Sequence, residues 1–220
     1  MSRSILPLVG MLLVTPLFAL PQVGQAEAVR LTAGQTDYPV IVDTETPAIG
    51  PLVIDGCTLE PGAVCPGVDL SHTDLSGINL NGADLSGAHM ARVDLTGAQL
   101  RGADVSGADL RGAKMHMAQM PGLVAVGADL TGANLEGTRL AGADFTDANL
   151  TAATLEAAWA PKTRFVRATL VAANLSETKF YNADMAQATL GDNNNRFTIW
   201  EGVHMEGCTG CPVDWYCWLC

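Results

Sequence analysis

Large apolar side chains recur at every fifth residue: Leu70, Leu75, Leu80, Leu85, Met90, Leu95, Leu100, Val105 and Leu110 open a series that runs almost unbroken to Met205. Small residues keep the same beat two places earlier, as at Ala83, Ala88, Ala98, Ala103, Ala108 and Ala113, with Thr73, Thr138, Thr163 and Thr178 as the commonest substitutes. Between the two slots stands Asp or Asn, as at Asp69, Asp74, Asn79, Asp84, Asp94 and Asp104. A period of five fits neither an α-helix, with about 3.6 residues per turn, nor the two-residue alternation of a strand, so the chain must turn at each repeat. One such unit cannot bury its own apolar face, and the repetition therefore predicts a solenoid of stacked coils.

The run Ala83-Asp84-Leu85-Ser86-Gly87, with its kin through Ala188-Thr189-Leu190, resembles the pentapeptide repeat family. The resemblance covers residues 63–206 and implies an all-β fold, a right-handed quadrilateral β-helix with four pentapeptides per coil. It places the Leu-like and Ala-like side chains inward and the other three outward. Phe145 and Phe165 then stand one coil apart, as do Phe180 and Trp200, so the bulky replacements for Leu are expected to stack. Coils about 4.8 Å apart give a rod on the order of 30 Å long. An interior packed at solid-like density has no room for two large side chains per side, which explains the small slot.

Departures from the beat carry expectations of their own. Leu123, Val124, Ala125 and Val126 invert the large and small slots, which reads either as a contact patch or as a local repacking in which Leu123 replaces the missing Leu at 125. Gly fills the last slot from Gly77 to Gly142 with few exceptions, and then Asp147, Ala152, Ala157, Lys162, Arg167, Ala172, Glu177, Asn182 and Gln187 follow. Because Gly alone enters positive φ freely, its loss predicts a change of corner geometry near residue 147. The repeat also reads as slipping at Asn193 to Asn195.

Outside the repeat, residues 1–28 read as a secretory signal peptide: Arg3 gives the positive start, Ile5 to Leu20 the apolar stretch, and Ala26-Glu27-Ala28 a cleavage site after Ala26 or Ala28. The expected location is the periplasm or the extracellular space, or the thylakoid lumen in a photosynthetic source, with no stable membrane insertion once the signal is removed. Residues 29–62 form an N-terminal cap, with Tyr38 to Val42 and Leu52 to Ile54 as short strands covering the open end of the first coil. Residues 207–220 form a C-terminal cap rich in cysteine and tryptophan, including Trp215-Tyr216-Cys217-Trp218.

The six cysteines suit an oxidising compartment. Cys57 and Cys65 lie at one end of the rod and Cys208, Cys211, Cys217 and Cys220 at the other, so a bridge across its length is excluded and Cys57 is expected to pair with Cys65. Two bridges are expected among the last four, in any of three arrangements. The alternative for Cys208, Cys211, Cys217 and Cys220 is a four-thiolate metal site with His204 nearby, which would make this a metal-binding envelope protein. Met115-His116-Met117, Met120, His89-Met90 and His204-Met205 raise soft-metal handling as well, but Met90, Met115, Met120 and Met205 occupy inward slots where Met is a core filler.

No catalytic constellation emerges. His72, His89, His116 and His204 fall on different coils, and paired carboxylates such as Asp84 with Asp104 are a consequence of the repeat. The chain therefore reads as a protein without catalytic residues or cofactor. A net charge of −11 disfavours direct binding to nucleic acid. The family resemblance raises a further alternative, a DNA-mimic rod that interacts with gyrase as in one type of quinolone resistance, though an export signal would separate it from that target. The charge is also uneven, since Arg139 and Lys179 share a side with Gln99 and Gln119 and few acids. The leading expectation is an exported, rigid scaffold for an unidentified protein partner, with an end of the rod free to form a homodimer. Its candidate contact surface consists of the outward residues that break the beat: Val124, Val126, Trp159, Val166, Tyr181 and Ile199, with Trp159 and Tyr181 close together.

Overall fold

The computed structural model describes residues 52–212, all within the second of two compact units, Thr46–Cys220. The signal segment, the strand expected at Tyr38 to Val42, and Cys217, Cys220 and the Trp215–Trp218 aromatic run lie outside the described residues.

Parallel bridges join each middle residue of a repeat to the residue twenty positions on: Asp84 to Asp104, His89 to Asp109, Asp94 to Lys114 and Gln99 to Gln119. These four pairings are the four sides of one coil. Each side is tied to its neighbours in both directions, as when Leu85 N–H donates to the Asp104 carbonyl (2.7 Å) and Asp104 N–H donates to that of Ala83 (2.8 Å). We number the sides by their outward middle residues. Side one carries Val64, Asp84, Asp104, Val124, Asp144, Arg164, Asp184 and His204. Side two begins at Asp69, side three at Asp74, and side four carries Asn79, Gln99, Gln119, Arg139, Trp159, Lys179 and Ile199.

Most bridges are single residues, because a side of five residues with two in the corner leaves little length for a strand. Four strands form among the described residues: β1 (Leu52–Ile54), β2 (Cys57–Leu59), β3 (Thr169–Val171) and β4 (Thr189–Gly191). β3 and β4 pair in parallel on side two. β1 and β2 form an antiparallel hairpin through Asp55-Gly56, both at positive φ (48° and 76°), the geometry for which Asp-Gly is favoured. Cys57 and Leu59 of β2 are buried in the rod's core, and a disulfide joins Cys57 to Cys65 in the first coil. The hairpin therefore packs against that end of the stack through Cys57 and Leu59, and it extends the strand expected at 52–54 by a partner that the Asp-Gly dipeptide signals.

Both inward slots are buried without exception from Leu80 to Leu190. Where the small slot holds Thr, its hydroxyl donates to a backbone carbonyl, as Thr138 does to Leu135 (2.7 Å) and Thr163 to Leu140 (2.8 Å), so no buried donor is left over. The large rings stack coil on coil: Phe145 with Phe165 at 5.3 Å and Phe180 with Trp200 at 5.0 Å, while Phe165 meets Phe180 edge-on at 5.7 Å. Each ring column begins just after a small residue in the large slot, Ala125 one coil before Phe145 and Ala160 one coil before Phe180. With the cross-section fixed, a ring in one coil needs volume surrendered in the adjacent coil. Leu123 and Ala125 are both fully buried, so the inverted slots are repacked inside the rod while Val124 and Val126 remain half-buried outside.

Two expectations fail here. The corners do not change near residue 147: Gly127 and Gly142 have φ of 65° and 67°, and Asp147, Ala157, Lys162 and Gln187 have 60°, 55°, 56° and 59°. The same inter-coil bond is made on both sides of the transition, from Gly142 N–H to the Pro161 carbonyl and from Asp147 N–H to that of Val166, each 2.9 Å. Left-handed backbone costs an L-residue about 1–2 kcal/mol, and the surrounding ladder holds it there regardless. Nor does the repeat slip at Asn193 to Asn195. Asn194 remains bridged to Asn174, and Asn193 Oδ1 accepts from Ala173 N–H (2.8 Å), so only the side chains change, with Asn195 exposed in the large slot.

Relief of this strain should be measurable. Ala157→Gly is expected to stabilise the rod by on the order of 0.5 kcal/mol, the strain relieved less the entropy cost of Gly, and Gly127→Ala to destabilise it similarly. Urea denaturation of the two variants checks this; an Ala157→Gly variant no more stable than the parent would count against imposed corner strain.

Candidate functional site

The outward Asp and Asn residues have structural work to do. Their side chains accept from the backbone N–H two residues on, capping the corner: Ser86 to Asp84 (3.0 Å), Thr96 to Asp94 (3.1 Å), Ser106 to Asp104 (2.8 Å) and Thr146 to Asp144 (2.9 Å). Hydrogen bonds from the Ser86 side chain and backbone hold the Asp84 carboxyl below its ordinary pKa, and those from Thr96 do the same to Asp94. These are ionised turn-formers and not poised proton donors.

Away from side four, most cations are neutralised by the next coil. Arg167 makes a two-pronged contact with Asp147 (2.6 Å for each nitrogen), Arg164 meets Asp144 at 3.0 Å, Lys114 meets Asp94 at 3.4 Å, and Arg111 bonds Asp109 within its own repeat (2.6 Å) while approaching Asp129 (3.9 Å). His204 Nδ1 lies 2.9 Å from Asp184 and its Nε2 3.5 Å from Glu206.

Side four departs from both rules. Its middle column contains no Asp or Glu, and after Asn79 it contains no Asn either, so six consecutive repeats lack the cap from their own middle residue, and at the first of them Asn81 Oδ1 of the preceding coil accepts from Arg101 N–H instead (2.7 Å). Pro121 and Pro161 stand where the capped N–H would be, and proline has none to satisfy. Among the described residues, Arg101, Arg139, Lys162, Lys179 and Arg196 make no ion pair; each lies on side four or at one of its corners, and Arg92 is the only other such cation. The nearest acids sit at the corners. Glu156 is engaged by Asn174 on side three (2.9 Å) and Glu136 faces His116 (3.8 Å), leaving Glu177 and Glu201 at the edges.

Apolar and aromatic groups gather on the same side. Trp159 is 43% exposed, its ring 5.5 Å from that of Tyr181 at an interplanar angle of 57°, with Lys179 Nζ 6.0 Å from the Trp159 centroid. At the corner between sides three and four, Met117 is 54% and Phe197 74% exposed, and the Arg196 guanidinium lies 5.4 Å from the Phe197 ring. The six candidate contact residues thus separate into two groups. Trp159, Ile199 and Tyr181 lie on side four or its corner with side one, whereas Val124 is on side one, and Val126 and Val166 are at the next corner, two coils apart. Met117 and Phe197 join the first group; apolar residues in the fifth slot, where Gly is usual, were the signal for them.

Cys208 and Cys211 form a disulfide, which removes both from a four-thiolate site in this state, and Cys217 and Cys220 lie outside the described residues. Among the described residues no group of His, Cys, Asp or Glu is placed to hold a metal ion, and no helix is long and apolar enough to cross a membrane.

The exposed pairs set a pH dependence. Asp184 holds His204 above its ordinary pKa, so the pair stabilises the last coils below the unfolded value of about 6.5 and ceases to do so as pH rises through the higher folded value. Hydrogen bonding by Arg167 lowers the Asp147 pKa, so that contribution is present above about 3.9 and is lost as pH falls through the folded value. The expected outcome is a small fall in melting temperature above neutrality that His204→Gln abolishes, followed on the acid side by a fall that Arg167→Gln reduces. Thermal melts from pH 3 to 9 check both limbs.

The model of pentapeptide repeats matches the chain in eight copies, over residues 63–102, 88–122, 126–158 and 148–187. Among solved structures the chain is similar to HetL, a pentapeptide repeat protein involved in heterocyst differentiation regulation from the cyanobacterium Nostoc sp. strain PCC 7120, with 24% identity, 66% of this chain and 82% of that chain covered, and a TM-score of 0.40. It is also similar to QnrB1, a plasmid-mediated fluoroquinolone resistance protein, at 19% identity over 66% of this chain and 89% of that one, TM-score 0.38. A pentapeptide repeat protein from the Arabidopsis thaliana thylakoid lumen follows at 22% identity, covering 57% of this chain and 76% of that one, TM-score 0.30. Comparison with curated proteins gives no match.

Proposed function

The chain belongs to the pentapeptide repeat family, and from that premise we propose that it is an exported, non-enzymatic scaffold, a right-handed quadrilateral β-helix whose fourth side docks a protein partner. The observation that carries this reading is the coincidence, on one side, of unpaired cations, exposed aromatic rings and a middle column that gives up the Asp or Asn corner cap after Asn79. Corner caps contribute stability, and a side that forgoes them repeatedly has been shaped by another demand. Trp, Tyr and Arg are also the residues that most often dominate protein interfaces. The core is filled by its own side chains from Leu80 to Leu190, so along its length the rod offers outward surface for docking.

Export is supported by the Arg3, Ile5 to Leu20 and Ala26-Glu27-Ala28 pattern, and by the Cys57–Cys65 and Cys208–Cys211 disulfides, which persist in oxidising compartments. The hairpin at the first coil and the cysteine-rich segment after residue 206 serve as caps that keep the ends of the stack from pairing indefinitely.

Two measurements test the proposal. The intact mass of the native protein should begin at Glu27 or Val29; a chain retaining Met1 would overturn export. In cells, cross-linking of the Trp159→Ala/Tyr181→Ala variant should recover its specific partner at least roughly tenfold less than the parent does, as expected for loss of two interface anchors. Unchanged recovery, with the variant folded, would remove side four as the docking surface.

A further inference from the structure

We infer that the partner of side four is an acidic, extended segment of a different protein, gripped by Arg139 and Lys179 on either side of Trp159. This inference rests on the scaffold reading above and supplies the chemistry of its partner.

The bridges order the column as Arg139, Trp159, Lys179, one per coil, with Tyr181 and Lys162 on the flanking corner. Neither Arg139 nor Lys179 has a carboxylate of this chain to satisfy it, although the chain carries a net charge of −11 and supplies carboxylates to Arg111, Lys114, Arg164 and Arg167. At physiological salt, charge is felt over about 8 Å, so a ligand centred on this column meets Arg139 and Lys179 first, with the free corner acids Glu177 and Glu201 at the margins and the acidic middle columns of the other sides screened. Complementarity therefore calls for carboxylates on the partner.

A second copy of this chain does not meet the requirement through side four. A two-fold axis through Trp159 sets Arg139 of one copy opposite Lys179 of the other, like charge against like. A flat polymer stacking along the side is also disfavoured, because the Trp159 and Tyr181 rings are tilted by 57° and form an angled notch rather than a continuous platform. Such a notch suits one apolar side chain. Arg139 and Lys179 are two coils apart, about 9.6 Å along the axis, and three residues of an extended or polyproline-type chain span about 9–10 Å. The recognised pattern is therefore two carboxylates three residues apart with an apolar residue between them.

The test uses the full mature protein, labelled for NMR, and a short synthetic peptide with Glu at every third position and Leu and Pro between. The expected result is a shift of the Trp159 indole N–H and of amides along side four. Binding should weaken on the order of tenfold for Arg139→Gln or Lys179→Gln, fall with added salt, and be absent for the Gln-for-Glu peptide. No shift, shifts confined to the other sides, or equal binding of the Gln-for-Glu peptide would overturn the inference, as would heparin displacing the peptide from side four and binding there more tightly. Dimerisation of the free protein through side four would do the same. If the peptide fails while Trp159→Ala/Tyr181→Ala still abolishes partner recovery, the acidic partner is wrong and the scaffold reading stands; if partner recovery ignores Trp159→Ala/Tyr181→Ala, it is the scaffold reading that fails.

Discussion

The backbone ladder between residues twenty positions apart is the constraint from which the remaining features follow. Because every side bonds to the coil before and after it, the perimeter of each coil cannot vary, and neither can the cross-section it encloses. A fixed cross-section at solid-like packing density leaves volume exchange between neighbours as the only freedom. Ala125 before Phe145 and Ala160 before Phe180 are such exchanges, and Leu123 opposite Ala125 is another. The ladder also places outward residues of successive coils side by side. Asp84 beside Asp104 is then a repulsion the fold must tolerate, and Asp147 beside Arg167 one of the pairs that compensate.

The rod was legible in the sequence because its signal, five residues long, is repeated about two dozen times, and an error at one repeat is corrected by the next. The ring stacks at Phe145–Phe165 and Phe180–Trp200 followed from the same periodicity. Local propensity misled where the ladder overrides it: the corners of Asp147 and Ala157 retain a Gly-like φ because inter-coil bonds hold both ends of the turn, a constraint invisible in a five-residue window. The β1–β2 hairpin is signalled by Asp55-Gly56, but its second strand, Cys57–Leu59, is too short to show a periodicity of its own. Of the candidate surface, Trp159, Tyr181 and the basic character of side four were readable from position alone. That Arg139 and Lys179 lack partners while Arg164 and Arg167 have them was not, since the side chains of neighbouring coils decide it.

The acidity of the chain now has a physical origin that does not involve a ligand. Corner N–H groups need an acceptor, short side-chain oxygens supply it, and Asp does so while adding a charge. Negative charge accumulates wherever the cap is used. On side four, proline removes the donor two residues after Gln119 and Trp159, whereas after Arg139 and Lys179 the N–H groups of Ala141 and Tyr181 are present and go without the cap. At Arg139 and Lys179 the cation therefore replaces a cap whose donor is still there, which the fold alone does not require.

At the corners, too, the choice runs against local energetics. Gly is the unstrained residue at positive φ, yet Lys162 and Phe197 occupy such corners at φ of 56° and 59°, both bordering side four. A corner without Cβ is bare, and a corner with a side chain can project a cation or an aromatic ring beside the Arg139–Trp159–Lys179 column. Strain held by an over-determined scaffold and located next to an exposed cluster is the arrangement expected when a surface, rather than the fold, sets the residue. Ala152, Ala157 and Ala172 carry the same strain with no contact to show for it, and nothing in the structure explains them. The ladder makes strained corners tolerable everywhere, as Arg92 and Arg167 at other corners also show, and along side four that tolerance lets Lys162 and Phe197 stand beside the exposed column.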